Sequence, residues 1–171
     1  PADDDAAAID PATTELANKI TDRIEAAINY ITDKQAKRFI LLGVGTGGYW
    51  SAYYLEKVSP KKNVHLVMLD GENPSLKMEK DLASIIANIN YPTIDLYQTS
   101  TNDGTNPRLA AIAAKSRANE VKRSARAFYL QRRIPQVSTT SSQSNQRLLN
   151  SFKGIVEKQL WVMVKTIYKA S

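Results

Sequence analysis

Arg38-Phe-Ile-Leu-Leu-Gly-Val-Gly-Thr-Gly-Gly-Tyr-Trp-Ser-Ala-Tyr-Tyr-Leu55 decides the fold of this chain: a β-rich apolar run enters a glycine-dense turn and leaves it as a helix. A turn of that kind sits at the carboxyl end of a strand, where α/β proteins place ligands and reacting groups. Two chemistries compete for it. Gly43, Gly45 and Gly48 have the G-x-G-x-x-G spacing of a phosphate cradle, in which backbone approaches a pyrophosphate closely. Alternatively, Gly43-Val44-Gly45-Thr46-Gly47, followed by Gly48, has the outline of a G-x-S-x-G nucleophile elbow with glycine where the serine belongs. The first predicts a bound nucleotide, the second a hydrolase scaffold without its nucleophile.

Upstream of the turn, Asp10 can cap the free amides of a helix and Pro11 suits its first position. Leu16, Ile20, Ile24, Ala27, Ile28 and Ile31 then recur at helical spacing, which predicts one amphipathic helix over 12–33. Residues 1–9 are acidic and alanine-rich without periodicity, the composition of a linker that need not fold. Downstream, the pattern predicts strands at 38–43, 63–69 and 92–97, helices at 48–58, 75–89 and 107–124, and a fourth strand at 126–132. A polar loop, Ser138-Thr-Thr-Ser-Ser-Gln-Ser144, precedes a closing helix at 146–168. Strands alternating with helices imply parallel pairing through right-handed crossovers.

A parallel sheet needs both faces covered, and Phe39-Ile-Leu-Leu42 is apolar on both, the pattern of a central strand rather than an edge. The expected fold is therefore a three-layer α/β/α domain over residues 10–171 with a mostly parallel sheet. That sheet is completed either by sequence before Pro1 or by strands from another chain.

Composition bounds the function. A chain of 171 residues with 43% hydrophobic content buries one core. No apolar run approaches the roughly 18 residues that span a bilayer, so a transmembrane helix is not expected. The start, Pro1-Ala-Asp-Asp-Asp5, lacks the basic end and apolar stretch of a secretory signal and reads like the middle of a linker, as in the later part of a processed precursor. Without cysteine there are no disulfides, thiolate ligands or cysteine nucleophile, and one histidine cannot form H-E-x-x-H; no metal or resident cofactor is expected. Charge is unevenly spread. Through Asn106 there are ten Lys/Arg against fifteen Asp/Glu, a net of −5; from Pro107 there are thirteen against two, a net of +11. Such a gradient suits an anionic partner, whether nucleic acid, phospholipid or an acidic protein face, although mutual neutralisation of the halves or a solvated basic helix face explains it equally. No nucleic-acid module accompanies it, and the aromatics are not interleaved with the basic residues.

Other candidate residues have structural roles to set beside functional ones. For the nucleotide reading, Asp70 ends the strand after the glycine turn, where a ribose-binding acid belongs beside Gly43, Gly45 and Gly48. A long amphipathic helix before the first strand speaks against it. For the elbow reading, Thr46 lies one position from the apex, and a Ser-His-acid mechanism needs a late histidine that the chain lacks. The only histidine, His65, falls inside a strand, where a packed side chain is the ordinary role. Arg123, Arg126, Arg132 and Arg133 surround the fourth strand as a candidate anion clamp. Asp95 within a strand needs a partner, expected to be Arg126 or Arg132. Tyr49, Trp50, Tyr53 and Tyr54 are expected to pack on the sheet.

Taken together, Gly43-Val-Gly-Thr-Gly-Gly-Tyr-Trp50, the acidic alanine-rich lead-in and Lys122-Arg-Ser-Ala-Arg-Ala-Phe-Tyr-Leu-Gln-Arg-Arg-Ile-Pro135 resemble the domain of unknown function family 3530 over about residues 10–165. The resemblance implies an α/β-hydrolase-like protein of Gram-negative bacteria, usually made with a signal peptide, hence a periplasmic or envelope location. It implies that the strands here are the fifth to eighth of a hydrolase sheet, the chain being the C-terminal half of the domain and its partner the N-terminal fragment of the same precursor. Members commonly have histidine after the first glycine of the turn; Val44 departs from that. The expected class is a binding or assembly component rather than an enzyme, with a nucleotide-binding domain as the alternative.

Overall fold

The computed structural model describes residues 10–61, 63–98, 107–125, 128–134, 150 and 152–158. The expected linker at 1–9, Arg126, the loop at 138–144 and most of the closing helix lie outside them. The elements run α1 (Pro11–Asp33), β1 (Phe39–Val44), α2 (Thr46–Val58), β2 (Val64–Leu69), α3 (Leu82–Asn88), β3 (Thr93–Gln98), α4 (Pro107–Arg123) and β4 (Tyr129–Ile134). Helical residues at 150 and 152–158, here α5, follow.

The four strands pair in parallel in the order β1-β2-β3-β4. Consecutive strands lie side by side, so every crossover helix falls on one face, and α1 to α4 form a row there. Beneath the row, Phe39, Leu41, Val64, Leu66 and Met68 meet Ile28, Tyr49, Ala52, Tyr54, Leu55, Leu82, Ile85 and Ile86 in the main core. On the other face Val156, with Phe152 and Ile155, packs on Val67, Leu69, Ile94, Leu96 and Ile134. This is the three-layer α/β/α arrangement with a parallel sheet.

Local chemistry explains the boundaries. The amide of Ala12 donates to Asp10 Oδ1 at 3.2 Å and Pro11 opens α1, as expected from the capping pair. Less of the α1 stripe is covered than its periodicity suggests: Thr13, Ala17 and Ile28 are buried, while Leu16 and Ile31 are each 42% exposed. The predicted helix at 75–89 shortens to Leu82–Asn88. Residues 73–81 instead form an irregular lead-in, in which Asn73 Oδ1 accepts from the Leu82 amide at 2.7 Å and Asp81 Oδ1 from Ser84 at 2.8 Å. The fourth strand lies at 129–134 rather than 126–132, because Ala125 (φ 50°) and Phe128 (φ 62°) both turn into the left-handed region and delay extended backbone.

β1, read as a central strand, is the first strand of this sheet. Ile40, Leu42 and Val44 point to the α5 face, and α5 does not reach them: they are 51, 52 and 60% exposed.

Candidate functional site

The turn between β1 and α2 is built by its backbone. Gly45 sits at φ +56°, ψ −127°, a left-handed conformation that costs glycine nothing and strains any other residue. Its amide donates to Leu69 O at 3.0 Å, and its carbonyl accepts from Gly48 N at 3.0 Å and from Glu72 N at 3.2 Å. The apex is thereby tied to the exit of β2. Gly43 is required by space: a Cβ there would stand 2.4 Å from Gly47 O and 2.5 Å from Gly48 Cα. Gly48 lets α2 press on the next strand exit, its missing Cβ 3.3 Å from Gly71 Cα, whereas Gly47 faces open space. Val44 is exposed on the strand's outer side, and Thr46 is the exposed first residue of α2. At the apex, a Cβ on Gly45 would meet Glu72 Oε1 at 3.2 Å, so the Glu72 carboxylate stands where a nucleophile's side chain would project. Glu72 was not singled out from sequence; only the hydrogen bond from its amide to Gly45 brings it there.

Asp70, directly after β2, adopts φ +50°. Its Oδ1 accepts from the Gln98 amide at 2.7 Å and its Oδ2 from Gln98 Nε2 at 3.1 Å, so the carboxylate that a ribose would need is already spanned. Burial raises its pKa, and the two bonds from Gln98 together with the charge of Arg117 offset part of that rise.

Asp95 is fully buried, and the pairing with Arg126 or Arg132 anticipated from sequence gives way to Arg117 of α4. Arg117 Nε donates to Asp95 Oδ2 at 2.7 Å and Nη2 to Oδ1 at 2.9 Å, a bidentate pair, while Nη1 donates to Gly71 O at 2.7 Å. The Tyr129 hydroxyl, at 2.6 Å, and Gln131 Nε2, at 2.8 Å, add donors to Oδ2. Burial opposes the guanidinium charge, but hydrogen bonding to Asp95 and its charge outweigh that and raise the Arg117 pKa. This cluster joins β3, β4, α4 and the exit of β2; each of the three Arg117 nitrogens donates to a protein oxygen, and its role is structural. The signal in the sequence was the stripe Ala114, Arg117, Val121, which puts Arg117 on the buried side of α4.

Among the described residues, Arg123, Arg132 and Arg133 do not converge on one site. Arg123 lies at the C-terminal end of α4, paired with Glu120, hence by the amino ends of the strands. Arg132 and Arg133 lie towards the carboxyl end of β4, in register with Leu96 and Tyr97 and so on opposite faces. His65 is the second residue of β2, at the amino end of the sheet and away from the turn. It is buried with Nδ1 unpartnered, and burial, then the nearby charge of Arg38, lowers its pKa. Tyr49 and Tyr54 are buried against the sheet, as expected, and Trp50 and Tyr53 flank them with ring centroids 5.8 Å apart. Burial, then the neighbouring phenol and carboxylates, pushes the Tyr49 hydroxyl up to about 12.

A cavity of about 340 Å³ lined by Leu55, Glu56, Ser59, Asn88, Ile89, Asn90 and Tyr91 opens at the amino end of the sheet, remote from the turn. Among the described residues, no three His, Asp or Glu side chains are grouped to hold a metal ion, and no helix is long and apolar enough to cross a membrane. No curated protein and no solved structure matches the chain. A family model does, over residues 1–158: the chain belongs to the family of proteins of unknown function DUF3530.

Proposed function

We propose that this chain is a catalytically inactive α/β-hydrolase-like domain that works in the bacterial envelope as a binding or assembly component. The carrying observation is Gly45, at φ +56° and ψ −127° between a strand and a helix. A nucleophile elbow holds its residue on such a sharp, strained turn to expose the attacking oxygen; here the turn has the shape and its apex has no side chain. Two further facts support the reading. Glu72 takes up the space above the apex, and the chain's only histidine is at the other end of the sheet. The envelope location rests on resemblance to Gram-negative proteins made with signal peptides. The partners proposed are an N-terminal fragment of the same precursor, or another chain, that completes the sheet, and an acidic or anionic envelope component facing the basic second half.

Ester hydrolysis by the purified protein tests this. The expected result is no turnover of short-chain nitrophenyl esters above a boiled sample; turnover lost in Thr46→Ala would overturn it. The nucleotide alternative is favoured by one observation, the placement of Asp70 at the end of the strand next to the glycine turn. A clear thermal shift with NAD, NADP, ATP or S-adenosylmethionine would replace the first reading with that one.

A further inference from the structure

His65 is the chain's only side chain whose ordinary pKa, about 6.5, falls between pH 5 and 8. It stands second in β2, in register with Ile40 of β1, at the amino end of that pair and away from the glycine turn. Alternate residues of a strand share a face, so the ring lies on the α5 side with Ile40 and Val67. The residue is 8% exposed, and Nδ1 is buried without a hydrogen-bond partner. A neutral imidazole tolerates that position at the cost of one unmatched acceptor. A proton on the ring would turn Nδ1 into an N–H donor with nothing to receive it and would bring a full charge with it.

The charged groups around the ring give a proton no help. β1 and β2 contribute none, since Phe39–Val44 and, His65 apart, Val64–Leu69 are uncharged. On β3, Asp95 faces the other side of the sheet, where Arg117 holds it. On α5, Lys153 pairs with Glu157, and both are exposed, as is Lys158. Arg132 shares the α5 face but belongs to β4, two strands away. Asp33 ends α1, Lys34 and Lys37 follow it, and Lys61 precedes β2; all four are exposed. Among the described residues, the charge that bears on the ring is that of Arg38, directly before β1. Burial first, and then that positive charge, lower the His65 pKa.

We infer that His65 is a proton-sensitive contact built into the sheet: the neutral ring holds the amino end of the β1–β2 pair closed, and a protonated ring loosens it. This goes beyond the binding-component reading and does not depend on it. Its direction follows from linkage. The unfolded chain takes up this proton at about pH 6.5 and the folded chain only at lower pH, so the contribution is constant above that value and is lost as pH falls below it. Asp70 works the other way. Burial raises its pKa, so the folded chain holds that proton more readily and acid favours folding there.

Two measurements test the inference. With one histidine in the chain, the imidazole Cε1 proton gives a single signal in the NMR spectrum. While circular dichroism remains native, that signal should keep its neutral position at about pH 6.5; a titration already half complete there, as in free histidine, would overturn the inference. The second measurement is urea unfolding at pH 7.5 and 5.5, with His65→Phe and His65→Leu for comparison. Acidification should lower the midpoint of the unmodified chain by about 0.5 M more than that of either variant, all three carrying Asp70. Amides of residues 39–41 and 64–66 should lose several-fold more exchange protection than those of residues 94–96. Midpoints that move in parallel, or equal loss of protection in the two sets of amides, would each overturn it. Should neither variant fold, the NMR signal of the unmodified chain decides.

Discussion

The two rims of this sheet follow opposite rules. On β4, Arg132 and Arg133 are exposed on the rim, and the strand is held by a buried polar cluster through Tyr129 and Gln131. On β1 the rim side chains are Ile40, Leu42 and Val44, and the strand is held by packing and by a glycine turn locked to its neighbour. Charge on an edge strand keeps other strands off; an apolar edge recruits them. One rim turns charge to water and the other turns apolar side chains to it.

The charged rim is also where a single substitution should do most damage. Arg117→Leu leaves the Asp95 carboxylate fully buried with only Tyr129 and Gln131 as donors, and breaking one side of a buried ion pair costs about 3–5 kcal/mol. The urea midpoint should fall accordingly, with amides of β4 losing exchange protection before those of β2. Asp95→Leu combined with Arg117→Leu should recover much of the loss, because Gln131 keeps its bond to Ala114 O at 2.8 Å and its bond to the Tyr129 hydroxyl at 2.9 Å. A double variant as unstable as the single one would mean that the cluster acts through shape rather than charge.

On the other rim the anchor is steric. Gly43→Ala forces a Cβ against the Gly47 carbonyl at 2.4 Å, which backbone cannot yield cheaply; overpacking of this kind costs about 1–3 kcal/mol or more. Gly47→Ala, four residues along the same turn, meets nothing within 4 Å and replaces glycine in a helix, so it should leave stability unchanged or raise it by up to about 1 kcal/mol. Thermal unfolding of the pair distinguishes a turn that needs glycine at particular positions from one that is merely flexible. Equal losses would mean the latter.

How much of this was readable from sequence follows from the range of each interaction. The order of strands and helices, the Asp10 cap and the glycine turn are written in neighbours a few residues apart, and they appear where the periodicity puts them. The late start of α3 depends on Asn73 capping Leu82 from nine positions away, which periodicity cannot register. The start of β4 depends on left-handed backbone at Ala125 and Phe128, residues that do not announce it. A carboxylate inside a strand, as at Asp95, announces its need for a partner, but which cation reaches it is decided by the helix that crosses above, which brings Arg117 rather than Arg126 or Arg132. Glu72 came to the apex of the turn only through the register of β1 with β2. The edge position of β1 was legible only as a conflict, an interior pattern with too few strands to surround it.

That conflict can be broken most directly by exchanging the chemistry of the two rims. Leu42→Lys gives β1 the kind of residue that β4 already carries, and Arg132→Leu gives β4 the kind that β1 carries. Both positions are exposed, so neither change removes a core contact, and each should alter unfolding free energy by no more than about 0.5 kcal/mol. Association is where they should part. Light scattering of the isolated chain should show that Leu42→Lys lowers its tendency to self-associate, since a buried lysine on a strand interface costs far more than an exposed one. Arg132→Leu should raise it. If instead the unmodified chain is monomeric at high concentration and Leu42→Lys changes nothing, the apolar β1 rim does not drive self-association. The small effect on folding is what makes the comparison clean: any change in association then belongs to the rim itself, not to loss of the domain that carries it.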